Sequence, residues 1–226
     1  MANSNETKGA LNAEETLNNS EAFFLKYKKA IVYGVIAVII VIAGIIVYNT
    51  YVAGPRQEKA STALAKGQEY FNAEQFDKAL NGDGAGFAGF VKVADDYSGT
   101  DAANLANLYA GLSYAQLGKW TEAANYLEKF DSKGDQMISP AAEAALGNAY
   151  AHLKQLDKAV DHLTKAAKKA DNNSLSPTFL IQAGEILESQ GKKEEALKLY
   201  QEVKDKYFNS MQYQSIDKYI ERATTK

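Results

Sequence analysis

Residues 30–48 read AIVYGVIAVIIVIAGIIVY, 19 residues without a charged side chain. As an α-helix this run is about 28 Å long, close to the roughly 30 Å of bilayer hydrocarbon. A chain carrying such a segment must place it in lipid or bury it whole, and uncharged helices of this length are rarely globular cores. The expectation is one transmembrane helix over 30–48. Tyr27, Tyr33, Tyr48 and Tyr51 sit near its two ends, where interfacial aromatics gather. Lys26, Lys28 and Lys29 directly precede the run, whereas Arg56 and Lys59 lie further beyond it, partly balanced by Glu58. The positive-inside rule puts the N-terminus in the cytoplasm and the bulk of the chain outside it. A cleaved signal peptide would need an apolar core of about 7–15 residues and an Ala-x-Ala-like site; the "NTYVAG" that follows the run is a poor substitute. The segment reads as an uncleaved signal anchor. The organisation expected is a disordered cytoplasmic tail over 1–29, the anchor over 30–48, a linker over 49–57 and an extracytoplasmic domain over 58–226. Gly34 and Gly44 are ten apart, so the helix lacks the GxxxG pairing signal, and the oligomeric state stays open.

Composition narrows the function of the remainder. A net charge of −3 from 25 basic and 28 acidic residues leaves no basic footprint for nucleic acid. The absence of cysteine removes disulfides, thiol catalysis and cysteine metal sites. Three prolines in 226 residues favour long, uninterrupted helices.

The segment after the linker repeats itself. Gly111, Gly147 and Gly184 are spaced by 36 and 37 residues. Three residues after each glycine comes Tyr114, Tyr150 or Leu187; twelve after, Ala123, Ala159 or Ala196; sixteen after, Leu127, Leu163 or Tyr200. Leu117-Gly118 and Gln190-Gly191 mark helix–helix turns, with Leu153-Lys154 in the same place of the middle unit. A period in the thirties means stacked helix pairs. Gly and Ala allow two helices to cross closely, and the large residues fill the space beside the crossing.

This pattern resembles the tetratricopeptide repeat. Ala110, Gly111, Tyr114, Ala123, Leu127 and Phe130 match it in one unit; Leu146, Gly147, Tyr150, Ala159, Leu163 and Ala166 in the next; Ala183, Gly184, Leu187, Ala196, Tyr200 and Val203 in the last, where Leu187 replaces the usual Tyr. A degenerate copy holds Lys66, Gly67, Tyr70, Phe76 and Ala79, followed by an intruding "NGDGAGFAGF", a Gly-rich loop or a broken second helix. Met211, Tyr213, Ile216, Tyr219 and Ile220 have the spacing of a capping helix. The fold class expected is an all-α solenoid of helix pairs, three clear repeats plus one degenerate and a C-terminal capping helix, behind a single transmembrane helix. One N-terminal anchor followed by a small extracytoplasmic repeat domain is similar to the ancillary subunit family of the bacterial Sec translocon. That resemblance implies a bacterial inner-membrane location with a periplasmic domain, and as partners the translocon and periplasmic chaperones.

No catalytic constellation is present. HExxH, GxxxxGK and GxSxG are missing, so no enzyme, cofactor or small-molecule substrate is expected. His152 and His162 lie near Asp157 and Asp161, but exposed polar residues on a solenoid account for them better than a metal site. "NGDGAG" lacks the carboxylates of a calcium loop. The resemblance implies a concave groove lined by the first helix of each pair. The residues assigned to it are Leu64, Gln68, Phe71, Leu105, Leu108, Leu112, Asn148, His152, Ile181 and Glu185. The groove positions hold no Lys or Arg, and Glu185 and Glu188 disfavour an acidic tail; the apolar members suit an amphipathic helix or extended apolar segment. Two readings stay open: a tethered interaction module accessory to export or periplasmic folding, and a scaffold for envelope assembly or self-association. The groove binds a partner, or the chain's own C-terminal helix or inserted loop fills it.

Overall fold

The computed structural model describes the backbone of residues 5–225 and the side chains of residues 25–225. The chain divides into two units, Met1–Pro55 and Arg56–Lys226.

The first unit is helical throughout its described length. Helix α1 runs Asn5–Tyr48 and carries the apolar run. From Val32 to Val52 its large aliphatic side chains are exposed, and its best window has a mean hydropathy of 3.1, long and apolar enough to cross a membrane. Residues 5–29, expected as a disordered tail, continue this helix from Asn5. The physical reason is local: the segment is rich in Ala, Glu, Leu and Lys, and extension from a formed helix needs no new nucleus. The linker expected at 49–57 is also helical. A π-helical turn, Asn49–Ala53, leads into α2, Gly54–Asn72. The Gly54 N–H donates to the Asn49 carbonyl, five residues back. Pro55 follows and has no N–H to continue the ladder, so the wide turn absorbs the missing bond.

The second unit stacks helices in pairs. α2 is followed by α3 (Phe76–Asn81) and α4 (Phe90–Asp96); α5 (Asp101–Gln116) pairs with α6 (Trp120–Glu128); α7 (Ile138–His152) with α8 (Leu156–Ala170); α9 (Ser176–Ser189) with α10 (Lys193–Lys206). A 3₁₀ turn, Met211–Ser215, then leads to α11, Ile216–Thr224, whose Ile216 and Ala223 close the core against Val203 and Tyr207. The crossing argument holds in atomic detail. A carbon added at Gly111 would lie 2.6 Å from Leu127 Cγ, and at Gly147 3.0 Å from Leu163 Cγ. Ala79, Ala123, Ala159 and Ala196, each twelve residues after its glycine, are wholly buried.

Each first helix ends in the same turn. The residue seven after the glycine is left-handed in all four units: Glu74 (φ 57°), Gly118 (71°), Lys154 (61°) and Gly191 (75°). The next N–H reaches back to the residue three after the glycine, at 2.9 Å in every unit, from Gln75, Lys119, Gln155 and Lys192. This is a Schellman cap repeated four times.

The insertion is both a loop and a break in the second helix. It separates α3 from α4, and Phe90 then occupies the space that Leu127, Leu163 and Tyr200 fill elsewhere, with Phe90 and Phe87 against Gly67. Asp83 ties the loop down: its carboxylate accepts from the Tyr70 hydroxyl at 2.7 Å and from the N–H groups of Ala85 and Phe87. The Tyr70 hydrogen bond, with the two backbone donors behind it, holds this carboxyl at about 2.

Candidate functional site

The ten groove residues divide into two sets. Leu64, Leu108 and Ile181, each three before a repeat glycine, are only 7% exposed. Their side chains enter the seams between layers: Leu108 packs in the cluster that holds Leu146 and Ala149, Ile181 in the one that holds Leu187 and Tyr200. Gln68, Phe71, Leu105, Leu112 and Asn148 are half-buried, and His152 and Glu185 are exposed. Phe71 is edge-on to Phe76 at 5.5 Å and to Tyr109 of the next layer at 5.2 Å, so its ring is committed to packing within the stack. The uncovered apolar part of the groove is thus Leu105 and Leu112, flanked by Gln68, Gln116 and Asn148.

Two features of this surface were not read from the sequence. Trp120, the first residue of α6, stacks on His152 at the end of α7, with centroids 3.6 Å apart and planes within 2°. At the other end of the groove Arg222 of α11 grips Glu188, its Nε 3.2 Å from Oε1 and its Nη2 on Oε2, and lies 3.5 Å from Glu185. The Tyr200 hydroxyl donates to the same Glu188 carboxylate at 3.1 Å. Burial of Tyr200 pushes its hydroxyl pKa up, and the Glu188 hydrogen bond pushes the guanidinium pKa up. One arginine is thus shared by two carboxylates, which reduces the repulsion expected of Glu185 and Glu188 and leaves one negative charge, with Glu185 exposed. The signal available in the sequence was the capping position of residues 216–224: a helix standing where the next first helix would stand presents side chains to the same groove.

The histidines do not share a site. Asp157 accepts from Gln190 and Lys192, each at 2.9 Å, and His162 bonds Glu143 at 2.8 Å. Glu143 also receives Lys165 at 2.9 Å and Lys169 at 2.5 Å. Burial pushes its carboxyl up, but the bonds from Lys169, Lys165 and His162 outweigh this and hold it at about 2. The cluster borders a cavity of about 330 Å³ with Phe130, Ser132 and Ser139. Next to it the Tyr150 hydroxyl donates to Glu128, which raises its pKa to about 12.

Stacked helix pairs with capped ends and a concave row of small, amide and aliphatic side chains define a helical-repeat scaffold for protein–protein interaction. The chain belongs to the tetratricopeptide repeat-like domain family, whose model matches residues 21–219. Two solved structures of the nearly identical tetratricopeptide-like repeats of a putative kinesin light chain from Podosopora anserina share the fold. Each has a TM-score of 0.56 at 14% identity over 74% of this chain, covering 85% and 86% of the respective chains. No curated protein sequence matches the chain.

Proposed function

We propose that this protein is a membrane-anchored adaptor whose repeat domain lies outside the cytoplasm and receives a segment of a partner protein, in service of Sec-dependent export or of periplasmic chaperones. Anchoring rests on the exposed apolar helix. The family match begins at residue 21, so that helix lies within the matched region. The observation that carries the binding role is the concave row: Leu105 and Leu112 remain partly uncovered between amide side chains, while Arg222 pairs with Glu188 at the acidic end. An amphipathic helix or extended segment fits this row, its apolar side chains on the two leucines and its backbone or polar groups on Gln68, Asn148 and His152.

The test is photo-crosslinking in cells from Gln116 and Asn148 of the full chain, followed by mass spectrometry. Translocon subunits or periplasmic chaperones are expected among the products, and Leu112→Glu should abolish them while leaving circular dichroism unchanged. Equal crosslinking by that variant would sink the groove reading. Products limited to self-crosslinks or outer-envelope machinery would sink the export reading. Leu108→Glu and Ile181→Glu do not serve here, because both side chains are in the core.

A further inference from the structure

Hydrogen bonds join the beginnings of the first helices along one edge of the repeat unit. The Arg56 guanidinium donates to the Asp96 carbonyl at 3.0 Å, and the Gln57 side chain accepts from the Asp101 N–H at 3.2 Å. The Asn104 amide brackets the backbone of Asp131 at 2.9 and 2.7 Å. Asn172 donates to the Gln136 carbonyl at 3.2 Å, the Tyr207 hydroxyl to Asp171 at 3.3 Å, and Gln212 to Thr178 at 2.8 Å. The loops before α5, α7, α9 and α11 thus form one continuous rim that starts at Arg56.

Among the described residues of this unit, the exposed large hydrophobic side chains are Met137, Ile138, Phe208, Met211 and Tyr213, and all five stand on that rim. Met211 is 87% exposed. No charged residue occurs from 172 to 184 or from 207 to 216. The opposite rim, formed by the four Schellman turns, carries Glu74, Lys119, Lys154 and Lys192. Repacking inside the domain does not explain this asymmetry, because the exposed side chains lie outside the core.

Arg56, the first residue of the unit, is bonded into the rim, and the apolar helix lies immediately before it in the chain. We propose that this rim rests on the bilayer surface, with Phe208, Met211, Tyr213, Met137 and Ile138 at the boundary between headgroups and acyl chains. Phe208, Met211 and Tyr213 lie in an uncharged stretch, as side chains that partition there do, whereas Met137 and Ile138 follow Asp135, whose carboxylate accepts from their N–H groups at 2.8 and 2.5 Å. Tethering by the anchor keeps lipid at a high effective concentration, so a few side chains suffice. Nearer Arg56, Asp96 and Asp131 are paired with Lys92 and Lys133 at 3.3 and 3.0 Å, so the rim carries little net charge to draw it to anionic lipid, and a zwitterionic surface suits it. The proposal rests on the anchored reading above.

The cysteine-free sequence permits a direct test on the full chain in phosphatidylcholine nanodiscs. Single cysteines at Ile40, Met137, Met211 and Lys154 carry a nitroxide, and accessibility to oxygen is compared with accessibility to a water-soluble nickel chelate. The expected result is an oxygen-to-nickel ratio at 137 and 211 several-fold above that at 154, approaching the value at 40. A lipid-like ratio at 40 with water-like ratios at 137 and 211 overturns the docking while leaving the anchor intact. Labels at 137 and 211 shielded from both reagents mean a second copy or another protein covers the rim, which also overturns it. A water-like ratio at 40 overturns the anchored reading, and this inference with it.

Discussion

Replacing each repeat glycine by alanine sets a helix-propensity gain against a steric cost, and the structure orders the outcome. Ala in mid-helix is favoured over Gly by about 1 kcal/mol. Overpacking a filled core costs about 1–3 kcal/mol. At Gly147 the added carbon meets Leu163 Cγ at 3.0 Å, the Ala159 carbonyl at 3.1 Å and His162 Cβ at 3.2 Å, so shifts of a few tenths of an ångström accommodate it. Gain and cost nearly cancel, and Gly147→Ala should lie within about 1 kcal/mol of the parent. At Gly111 the contact with Leu127 Cγ is 2.6 Å, and Leu127 is buried. A net loss of about 1 kcal/mol is expected there. At Gly184 the carbon would enter the Tyr200 ring, with Cζ 2.6 Å away, and this ring is wholly buried. A wholly buried ring that also contacts Tyr219 has little room to step aside, so the net loss is about 2 kcal/mol, or about 4–8 °C in melting temperature at this size. Thermal unfolding of the full chain in detergent micelles, followed by circular dichroism, measures the series. Gly184→Ala as stable as the parent, or less disruptive than Gly147→Ala, would refute the reasoning that these glycines are kept for close approach.

Three further outcomes follow from particular residues. Lys154→Gly should raise stability by about 0.5–1 kcal/mol, since a left-handed non-glycine residue costs about 1–2 kcal/mol and glycine returns part of this as unfolded-state entropy; a lowered melting temperature would contradict it. The Glu143 carboxyl ionises at about 2 when folded and near 4.5 when free, so its contribution is complete above about pH 4.5 and lost as pH falls towards 2. Discounted for the solvent around Lys165, that contribution is about 1–2 kcal/mol. Glu143→Gln should therefore destabilise at pH 7 and flatten the acid side of the stability profile; two parallel profiles would show that the cluster is not ionised as described. His152→Ala removes the ring 3.6 Å from Trp120, the single tryptophan. Emission should move to longer wavelength and iodide quenching should increase, and an unchanged spectrum would mean the two rings do not stack in solution.

The repeat was legible because small residues recur at a fixed register, and the geometry that demands them is local to each helix pair. Gly118 and Gly191 announced their turns in the same way, whereas Lys154 and Glu74 adopt the identical turn without the residue that signals it. Phe90 was hidden for a different reason. It follows Gly67 by 23 residues where the other units have 16, so a fixed register lands on Asp83, and only the folded loop brings Phe90 to the crossing. The groove was legible in part. Counting from the glycine finds the correct helix face, but it cannot divide a face between solvent and the next layer, which is why Leu64, Leu108 and Ile181 lie in seams. Trp120 with His152, and Arg222 with Glu188, join different layers and leave no mark in either segment alone. Helical continuity from residue 5 to 54 is decided by propensity and by the absence of proline there, which a division into tail, anchor and linker does not take into account.

The interrupted second helix of the first repeat also bears on how such a protein can diversify. Its loop is sealed at the base by Asp83 and Phe87, and the space around Gly84 and Gly86 is open, but both stand at positive φ (70° and 131°), so growth there means inserting residues beside these glycines and not replacing them. The spacings of 36 and 37 residues downstream are undisturbed by it. In a stack where each layer touches only its neighbours, growth at such a tip is mechanically invisible to the rest of the molecule. The tip between Gly84 and Gly86 is thus a grafting port, where a lineage or an engineer could add a recognition finger and leave every seam of the scaffold in register.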